Sequence, residues 1–516
     1  MSEANDLFGE KRTTPAKHAR AGRPADLNAA KRTKAIDRNQ CFWGAIDVDK
    51  LVEQDHAVRG IWEMVGRLDL SRMSEKIKSV EGKAGQSSWD PRMLTALWIY
   101  GISEAVTSAR ELSRMCEYEP ACRWLTGLQS VNYHTLSDFR TAHKAALDDI
   151  FAQVLALLSA DGLIEMKRIA HDGTKVKALA STNSFRRKDR IRDHWELARQ
   201  QVEALDSAES GALTQRMIEA RKRAAAQRQR RLEDALKELE QIETARQESD
   251  KEKVRVSETD PQARVMKQAG GGFAPSYNVQ ISSDAAQGII VGVDVTQAGN
   301  DCDQLIPAIE TVEANTGKKP EQVLVDGGYT MKNSNIEAMA ERGMDLVGPV
   351  PESNIDASMK RRGVEPEFYP EKFQYDPATD TLRCPAGKPL TAGCAHQAEG
   401  HMEYTYKASA PDCRACRFQS QCCPKRSPRR VTRIEHSPAV IAFRARMQTE
   451  PFRQLYRCRS RIAEFPNAWI KDKFQLRQFR LRGRQKVRTE AVWACLTYNI
   501  QQWIRLRWKL ALLATA

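Results

Sequence analysis

Arg168-Ile-Ala-His-Asp-Gly-Thr-Lys-Val-Lys-Ala178 is the stretch from which the fold is read. Ile169, Ala170, Val176 and Ala178 are the β-branched and small apolar residues of a buried strand, and they flank Asp172 and Gly173. The reading is a strand that its Asp-Gly pair ends or turns, leaving one carboxylate at the exposed tip. Taken alone, such a pair is far more often a turn than a catalytic acid. The weight therefore falls on whether other carboxylates join Asp172.

Working outward, Tyr277-Asn-Val-Gln-Ile-Ser282 alternates like a strand, and Gly288 to Thr296 is a long apolar strand, with Ser283 to Gln287 as the hairpin turn between them. Asp301, with Gln304 three residues on, fits a capping box for a helix through Leu305, Ile306 and Ile309. Next come a strand, Gln322 to Val325, ending in Asp326-Gly-Gly-Tyr329, a helix from about Asn333 to Arg342, and a short strand, Asp345 to Gly348. A strand, an antiparallel hairpin, then strand, helix, strand is the order of a ribonuclease-H-like α/β fold with a mixed sheet. Residues 186–259 interrupt it. There Trp195, Ala198, Val202 and Leu205, then Leu232, Ala235, Leu239 and Ile242, step by threes and fours, the narrow seam of a helical hairpin that turns at Ser207 to Gly211.

Asp326 repeats the arrangement of Asp172, an apolar strand followed by Asp-Gly, so neighbouring strands would bring two carboxylates to one edge. Asp284 falls in a turn, Asp294 inside a strand, and Asp301 and Asp303 read as helix caps. Hard divalent cations take oxygen ligands, and phosphodiester chemistry commonly uses two of them, which asks for a third acid. Glu464 is the choice, in Tyr456-Arg-Cys-Arg459-Ser-Arg-Ile-Ala-Glu464-Phe-Pro-Asn-Ala-Trp-Ile-Lys471. Out of context, a glutamate among arginines is more often a surface ion pair.

The 516 residues exceed one ordinary core and carry a formal net charge of +14, which makes a polyanion the natural partner, plain solubility being the alternative. Met1-Ser-Glu-Ala-Asn-Asp has neither a basic n-region nor an apolar h-region, and no later stretch reaches the length of a membrane span, so a cytoplasmic, nucleoid-associated protein is expected. Residues 1–40 read as a basic flexible tail and 41–165 as a helical N-terminal domain. Asp90-Pro91 starts one of its helices, Ser108 another, and Asn132-Tyr-His-Thr-Leu-Ser-Asp-Phe-Arg140 a third. Thr135 and Arg140 then suit a helix-turn-helix-like contact with DNA; a helical bundle without a DNA role is the other reading. The catalytic core's first part spans 166–350, a cysteine-rich insertion 351–445, and the core's C-terminal helices 446–516.

Asp172 in His-Asp-Gly-Thr-Lys, Tyr277-Asn-Val-Gln280, Asp326 in Asp-Gly-Gly-Tyr and the Tyr/Arg/Glu/Lys signature together resemble the DDE transposases of bacterial insertion sequences. The resemblance runs from about Leu51 to Trp503, with Glu53-Gln-Asp-His-Ala-Val-Arg59 as the entry to the N-terminal domain. Six residues separate Glu464 from Lys471, as in that family, but four rather than three separate Arg459 from Glu464, so Arg457 and Arg461 stand beside Arg459 as candidates. The resemblance implies that Asp172, Asp326 and Glu464 hold two Mg²⁺ or Mn²⁺ ions, that DNA ends are cut and their 3′-hydroxyls joined to target DNA, and that Tyr456, Arg459 and Lys471 position the backbone. It implies terminal inverted repeats and target DNA as partners, and a homodimer or larger synaptic assembly. A non-catalytic DNA-binding relative and a metal-dependent nuclease that does not join strands are the alternatives.

Twelve cysteines in so long a chain do not make a secreted disulfide framework, and many cluster late. The cluster Cys384, Cys394, Cys413, Cys416, Cys422 and Cys423 contains a Cys-x-x-Cys half-site of a structural Zn²⁺, and the resemblance implies Cys384, Cys413, Cys416 and Cys422 as its ligands, with unliganded thiols as the alternative. Cys116 and Cys495 read as small buried apolar residues. After Glu464, Arg482 and Arg484 flank Gly483 as a phosphate contact or a solvated turn, and Val492, Leu496, Ile500 and Trp503 form an apolar helical stripe for the core.

Overall fold

The computed structural model describes residues 45–75, 77, 79, 87–207, 215–350, 354–398, 401–424 and 428–515. The basic tail of residues 1–40 and most of the hairpin turn after Ser207 lie outside the described residues. Two units are distinguished, Met1–Asp47 and Val48–Ala516. In the first, residues 45–47 are described and lie in neither helix nor strand; everything below concerns the second.

Its central sheet contains β1 (Arg168–Lys177), β2 (Arg264–Lys267), β3 (Phe273–Asp284), β4 (Ile290–Thr296), β5 (Gln322–Leu324) and β6 (Asp345–Val347). The strand order is β4, β3, β1, β5, β6, with β2 also on β3. β3 pairs antiparallel with β1, β2 and β4, whereas β5 is parallel to both β1 and β6. This is the mixed ribonuclease-H-like sheet expected from the strand pattern. One local expectation is corrected: Asp172-Gly173 does not end the strand. β1 continues to Lys177 because its antiparallel partner β3 is long enough to pair with it from Ile169 opposite Asp284 to Lys177 opposite Ser276. Only the parallel pairing to β5 stops early, at Ala170 opposite Leu324.

The inserted hairpin follows β1 as helices Lys188–Ser207 and Gln215–Thr244. Ile191, Ala198, Leu232, Ala235 and Leu239 form a buried cluster of their own, with Trp195 and Ile242 packed against it. Heptad-like spacing on two short amphipathic helices thus closes a seam separate from the main core.

Asp90 caps the helix Pro91–Ser103 by accepting from the Arg92 amide, with Pro91 in the first turn. Ser108 and Asn132 cap the helices Ala109–Tyr118 and Tyr133–Ala142 in the same way. These N-terminal helices, the sheet and the long C-terminal helix Arg484–Trp503 share one continuous hydrophobic cluster, in which Trp98, Trp493, Val492, Leu496, Ile500 and Trp503 are buried. Cys116 and Cys495 are buried within it. In sequence, the cysteine-bearing insertion lies between the last strand of the central sheet and the long C-terminal helix. Its second, antiparallel sheet has β7 (Gln374–Asp376), β8 (Thr381–Arg383), β9 (Pro389–Ala398), β10 (His401–Ala408) and β11 (Arg430–His436) in sequential order.

Candidate active site

The β1–β5 register brings the first two acids together. The parallel pairing ends with Ala170 opposite Leu324, two residues short of Asp172 on one strand and of Asp326 on the other, so both acids follow the same end of that pairing, near enough for the Asp326 charge to act on Asp172. Asp326 also caps the short helix Gly327–Thr330, its Oδ1 accepting from the Gly328 amide at 2.9 Å. Burial pushes the Asp172 carboxyl up against the pull of Arg459, and the charges of Asp326 and Asp301 add to the rise, to about 6. A cation between the two aspartates would relieve this repulsion.

The helix Arg459–Ala468 lies across β1. Arg459 Nη1 is 3.9 Å from Asp172 Oδ1, and Asn467 Nδ2 donates to Asp172 Oδ2 at 3.4 Å. Arg459, Ala463 and Asn467, four residues apart, form one stripe of that helix. Arg457 and Arg461 are exposed, and Arg457 instead lies near Glu450, so Arg459 is the arginine that faces the acid. Lys471 follows in the π-helical turn Trp469–Lys473. Burial and the Arg477 charge depress its ammonium while Asp172 acts in the opposite sense, which places Lys471 within the same field. Tyr456 is half-buried against the main core.

Glu464 is not drawn into this cluster. It is exposed and, among the described residues, makes no hydrogen bond or ion pair, because it sits about 100° round the helix from Ala463, off the stripe that meets β1. Among the described residues no three His, Cys, Asp or Glu side chains stand close enough together to hold a metal ion. The oxygen-rich pair Asp172 and Asp326 nonetheless suits a hard divalent cation. Asn467 Oδ1 and Arg459 Nη1, both buried beside Asp172, lack a hydrogen-bond partner, as groups awaiting a ligand would.

Asp301 is the acid that sequence reasoning misplaced. It does not cap the following helix, Leu305–Thr316, whose N-cap Gln304 makes no side-chain capping bond. Its carboxylate accepts from Asn278 Nδ2 at 2.6 Å and Gln280 Nε2 at 2.8 Å and pairs with Lys175 Nζ at 3.0 Å. Burial alone would raise this carboxyl, but the Asn278 hydrogen bond, the Lys175 charge and the Gln280 hydrogen bond together hold it below the ordinary range. Strand alternation puts Gly173 and Lys175 on the face of β1 opposite Asp172, and Asp301 fills the space left by the missing Gly173 Cβ. Asp301 thus buttresses the strand from behind.

A buried network extends this support. Gln280 gives its amide hydrogens to Asp301, so its Oε1 accepts from Tyr329 Oη–H at 2.7 Å and from His171 Nε2–H at 2.9 Å. That leaves His171 Nδ1 to accept from the Ser282 hydroxyl at 2.8 Å. Burial lowers the His171 imidazole to about 4, so it stays neutral. The signal was present in the sequence as polar residues at every second position of a buried strand, Asn278, Gln280 and Ser282, all fully or nearly fully buried.

The basic residues assigned to DNA divide. Thr135 lines an open groove beside Asn132 and Asp138. Arg140 is corrected: it is buried, its guanidinium donates to the Thr107 carbonyl and stacks over Trp98, and the buried Glu490 carboxylate lies near enough to favour its charge. A helical position facing inward at the end of Tyr133–Ala142 cannot reach a phosphate. Arg482 on the loop and Arg484 at the first residue of the long C-terminal helix are exposed; between them the Gly483 amide, at a positive φ of 82°, donates to Asp260 Oδ1, and the Arg484 amide donates to Gln262.

With this geometry in hand, two family models match the chain: residues 46–142 match the one described as Transposase domain (DUF772), and residues 383–504 the one described as Transposase DDE domain. The pair is consistent with a DDE transposase. No curated protein and no solved structure matches the chain. The transposase DDE match opens one residue before Cys384 and takes in both the cysteine segment and Tyr456 to Lys471. Cys384, Cys413, Cys416 and Cys422, joined by Cys423, line a cavity of about 30 Å³. Burial pushes the Cys422 thiol up to about 12, with Cys423, Cys413 and Cys384 adding to the rise against Arg429. Among the described residues no helix is long and apolar enough to cross a membrane.

Proposed function

We propose that this chain cuts the ends of an insertion sequence and transfers the freed 3′-hydroxyls to target DNA by two-metal phosphoryl transfer. The observation that supports this reading is that Asp172 and Asp326 each follow the paired end of neighbouring parallel strands, with Arg459 and Asn467 of one helix reaching Asp172. Asp172 and Asp326 would hold Mg²⁺ or Mn²⁺ there, and Glu464, one turn before Asn467 but off the stripe that meets β1, would have to turn towards them to serve as the third carboxylate. When bound, the ions supply Lewis acidity for the attacking and leaving oxygens.

The chain's own groups do the rest. Arg459 and Lys471 offer positive charge on the helix side of Asp172, where a scissile phosphate enters. Asn467 holds one oxygen of Asp172, and the Asp301 and Gln280 network fixes β1 from behind. Tyr456 packs at the base of the arginine-bearing helix. Arg482 and Arg484, which are exposed, and Thr135, half-buried in its groove, would meet duplex DNA. Terminal inverted repeats and target DNA are the partners, in a homodimer or larger synaptic complex within the cytoplasm. Cys384, Cys413, Cys416 and Cys422, which line one cavity but do not stand within metal-holding distance of one another in this structure, would have to draw together to bind a structural Zn²⁺.

The test incubates the protein with Mg²⁺ and DNA carrying the inverted repeats that flank its gene. Joined products are expected, and Asp172→Asn, Asp326→Asn and Glu464→Gln should each abolish cleavage while sparing end binding. Cuts without joins would make it a nuclease, and binding without cuts a non-catalytic DNA-binding protein. An acid whose variant still cuts leaves the set.

A further inference from the structure

Directly after the helix that Asp326 caps, Met331 and Asn333 open onto a groove of about 860 Å³ that runs into the cysteine-bearing insertion. One wall is β11 with the helix Pro438–Gln448; the other is the turn Pro370–Lys372 with Tyr375 of β7. Asn333 is hydrogen-bonded at 3.3 Å to His401 of β10, so the second sheet is tied to the catalytic sheet where the groove begins.

The charge of this groove is one-sided. Arg362, Arg430, Arg433 and Arg444 line it, against Glu371 as the acidic lining residue. Arg433 is already committed: its guanidinium lies over the rings of Tyr375 and Tyr404, at 4.1 and 4.5 Å, and it pairs with Glu435. Arg362, Arg430 and Arg444 have no ion-pair partner among the described residues, and Arg362 and Arg430 are exposed. Three guanidinium groups without carboxylate partners along one open channel give it a positive charge that an extended anion would complement. Planar, multiply donating guanidinium groups match phosphate oxygens, and a phosphodiester chain supplies such oxygens at regular intervals.

We infer that this groove binds the sugar-phosphate backbone of the DNA strand running out of the candidate active site, making the cysteine-bearing insertion a DNA clamp. The inference rests on the proposed cleavage site only for the direction of that strand. Its test uses no cleavage.

The full-length chain, in EDTA, is titrated with a fluorescein-labelled mixed-sequence 30-base-pair duplex, read by anisotropy over a range of salt concentrations. In R362A/R430A/R444A the affinity should fall about tenfold or more, and the slope of log K against log salt should become shallower by about 2 to 3, since each lost phosphate contact removes about 0.9. A photo-crosslinking amino acid at the exposed groove residue Glu371 should capture the duplex, and the triple substitution should abolish that capture. If the triple variant melts below wild type, Arg362→Glu alone, at an exposed position, is expected to lower both affinity and crosslinking. Unchanged affinity and slope, or binding without a crosslink from position 371, overturns the clamp. An outcome in which DNA fails to crosslink but an acidic protein does also overturns it. Failure of the cleavage proposal would appear separately, as a wild-type chain that neither cuts nor joins with Mg²⁺ present.

Discussion

Gly173 is fixed by a carboxylate rather than by a turn. A Cβ there would meet Asp301 Oδ1 well inside van der Waals contact and Gln280 Nε2 at 2.5 Å, on the face of β1 away from Asp172. Gly173→Ala must therefore push Asp301 out of its bonds to Asn278, Gln280 and Lys175, at an overpacking cost of about 1–3 kcal/mol. The expected outcome is a lower melting temperature and at least a tenfold loss of Mg²⁺-dependent cleavage. Paired melting and cleavage assays check it, and an alanine variant that cuts and melts like wild type would remove Asp301 from the support of β1. At this scale the sequence was readable where two acids repeated one motif, as with Asp172 and Asp326. It was not readable at Asp301, because an Asp three residues before Gln304 looks locally like a cap. What decides its role are partners over a hundred residues upstream, such as Lys175. Arg140 misled for the same reason: its position in a helix suited DNA, but only the fold reveals Trp98 above it and Glu490 close by.

Among elements, the helical hairpin was the most legible, since its seam is written in spacings of three and four. Its core is separate from the main one, so Leu239→Ala, which empties a fully buried site, should destabilise the hairpin by about 2–5 kcal/mol. Hydrogen exchange should then speed up in Lys188–Ser207 and Gln215–Thr244 while β1 and β3 stay protected; equal loss of protection in the sheet would refute the separation. The C-terminal helix makes a different prediction through Glu490, whose buried carboxylate accepts from the Arg480 and Leu481 amides. Burial raises it above the ordinary 4.5. A folded pKa above the unfolded one means the folded state holds the proton longer. That stabilisation is complete below the unfolded pKa and lost as pH rises through the folded one. Melting of the wild type relative to Glu490→Gln should therefore worsen as pH rises above about 4.5, and a pH-independent difference would assign Glu490 an ordinary ionised state. The cysteine segment predicts that protein purified without chelator carries about one equivalent of zinc, and that its removal loosens the β7–β11 sheet more than the catalytic one. Metal analysis with hydrogen exchange measures both, and zinc-free protein with an intact second sheet would leave Cys384, Cys413, Cys416 and Cys422 as plain thiols.

Over the whole molecule, one hydrophobic core runs across residue 165, where the helical pattern gives way to the first strand. Helix Arg484–Trp503 is buried along most of its length and serves the N-terminal helices and the sheet at once. Arg488 joins Asp148 of the N-terminal helices to Asp294 of β4, the Trp503 indole donates to Asp161, and the Trp508 indole donates to Glu63. Gly60 leaves room for Ile504 and Trp508 to approach to 3.0 Å of where its Cβ would stand. Such pairings, 194 to 445 residues apart in the chain, leave no local trace in sequence, which is why the N-terminal part read as a domain of its own. A fragment of residues 45–165 is consequently expected to expose the apolar faces that the C-terminal helix covers. It should bind a hydrophobic dye, give poorly dispersed amide resonances and melt without a sharp transition. Joining residues 484–515 to it through a flexible linker should restore dispersion and cooperative melting, because the missing wall of the core is then supplied at high effective concentration. A fragment that is already well dispersed and cooperative without that helix would show that the N-terminal helices fold by themselves, and that the continuous core is docking between two finished domains.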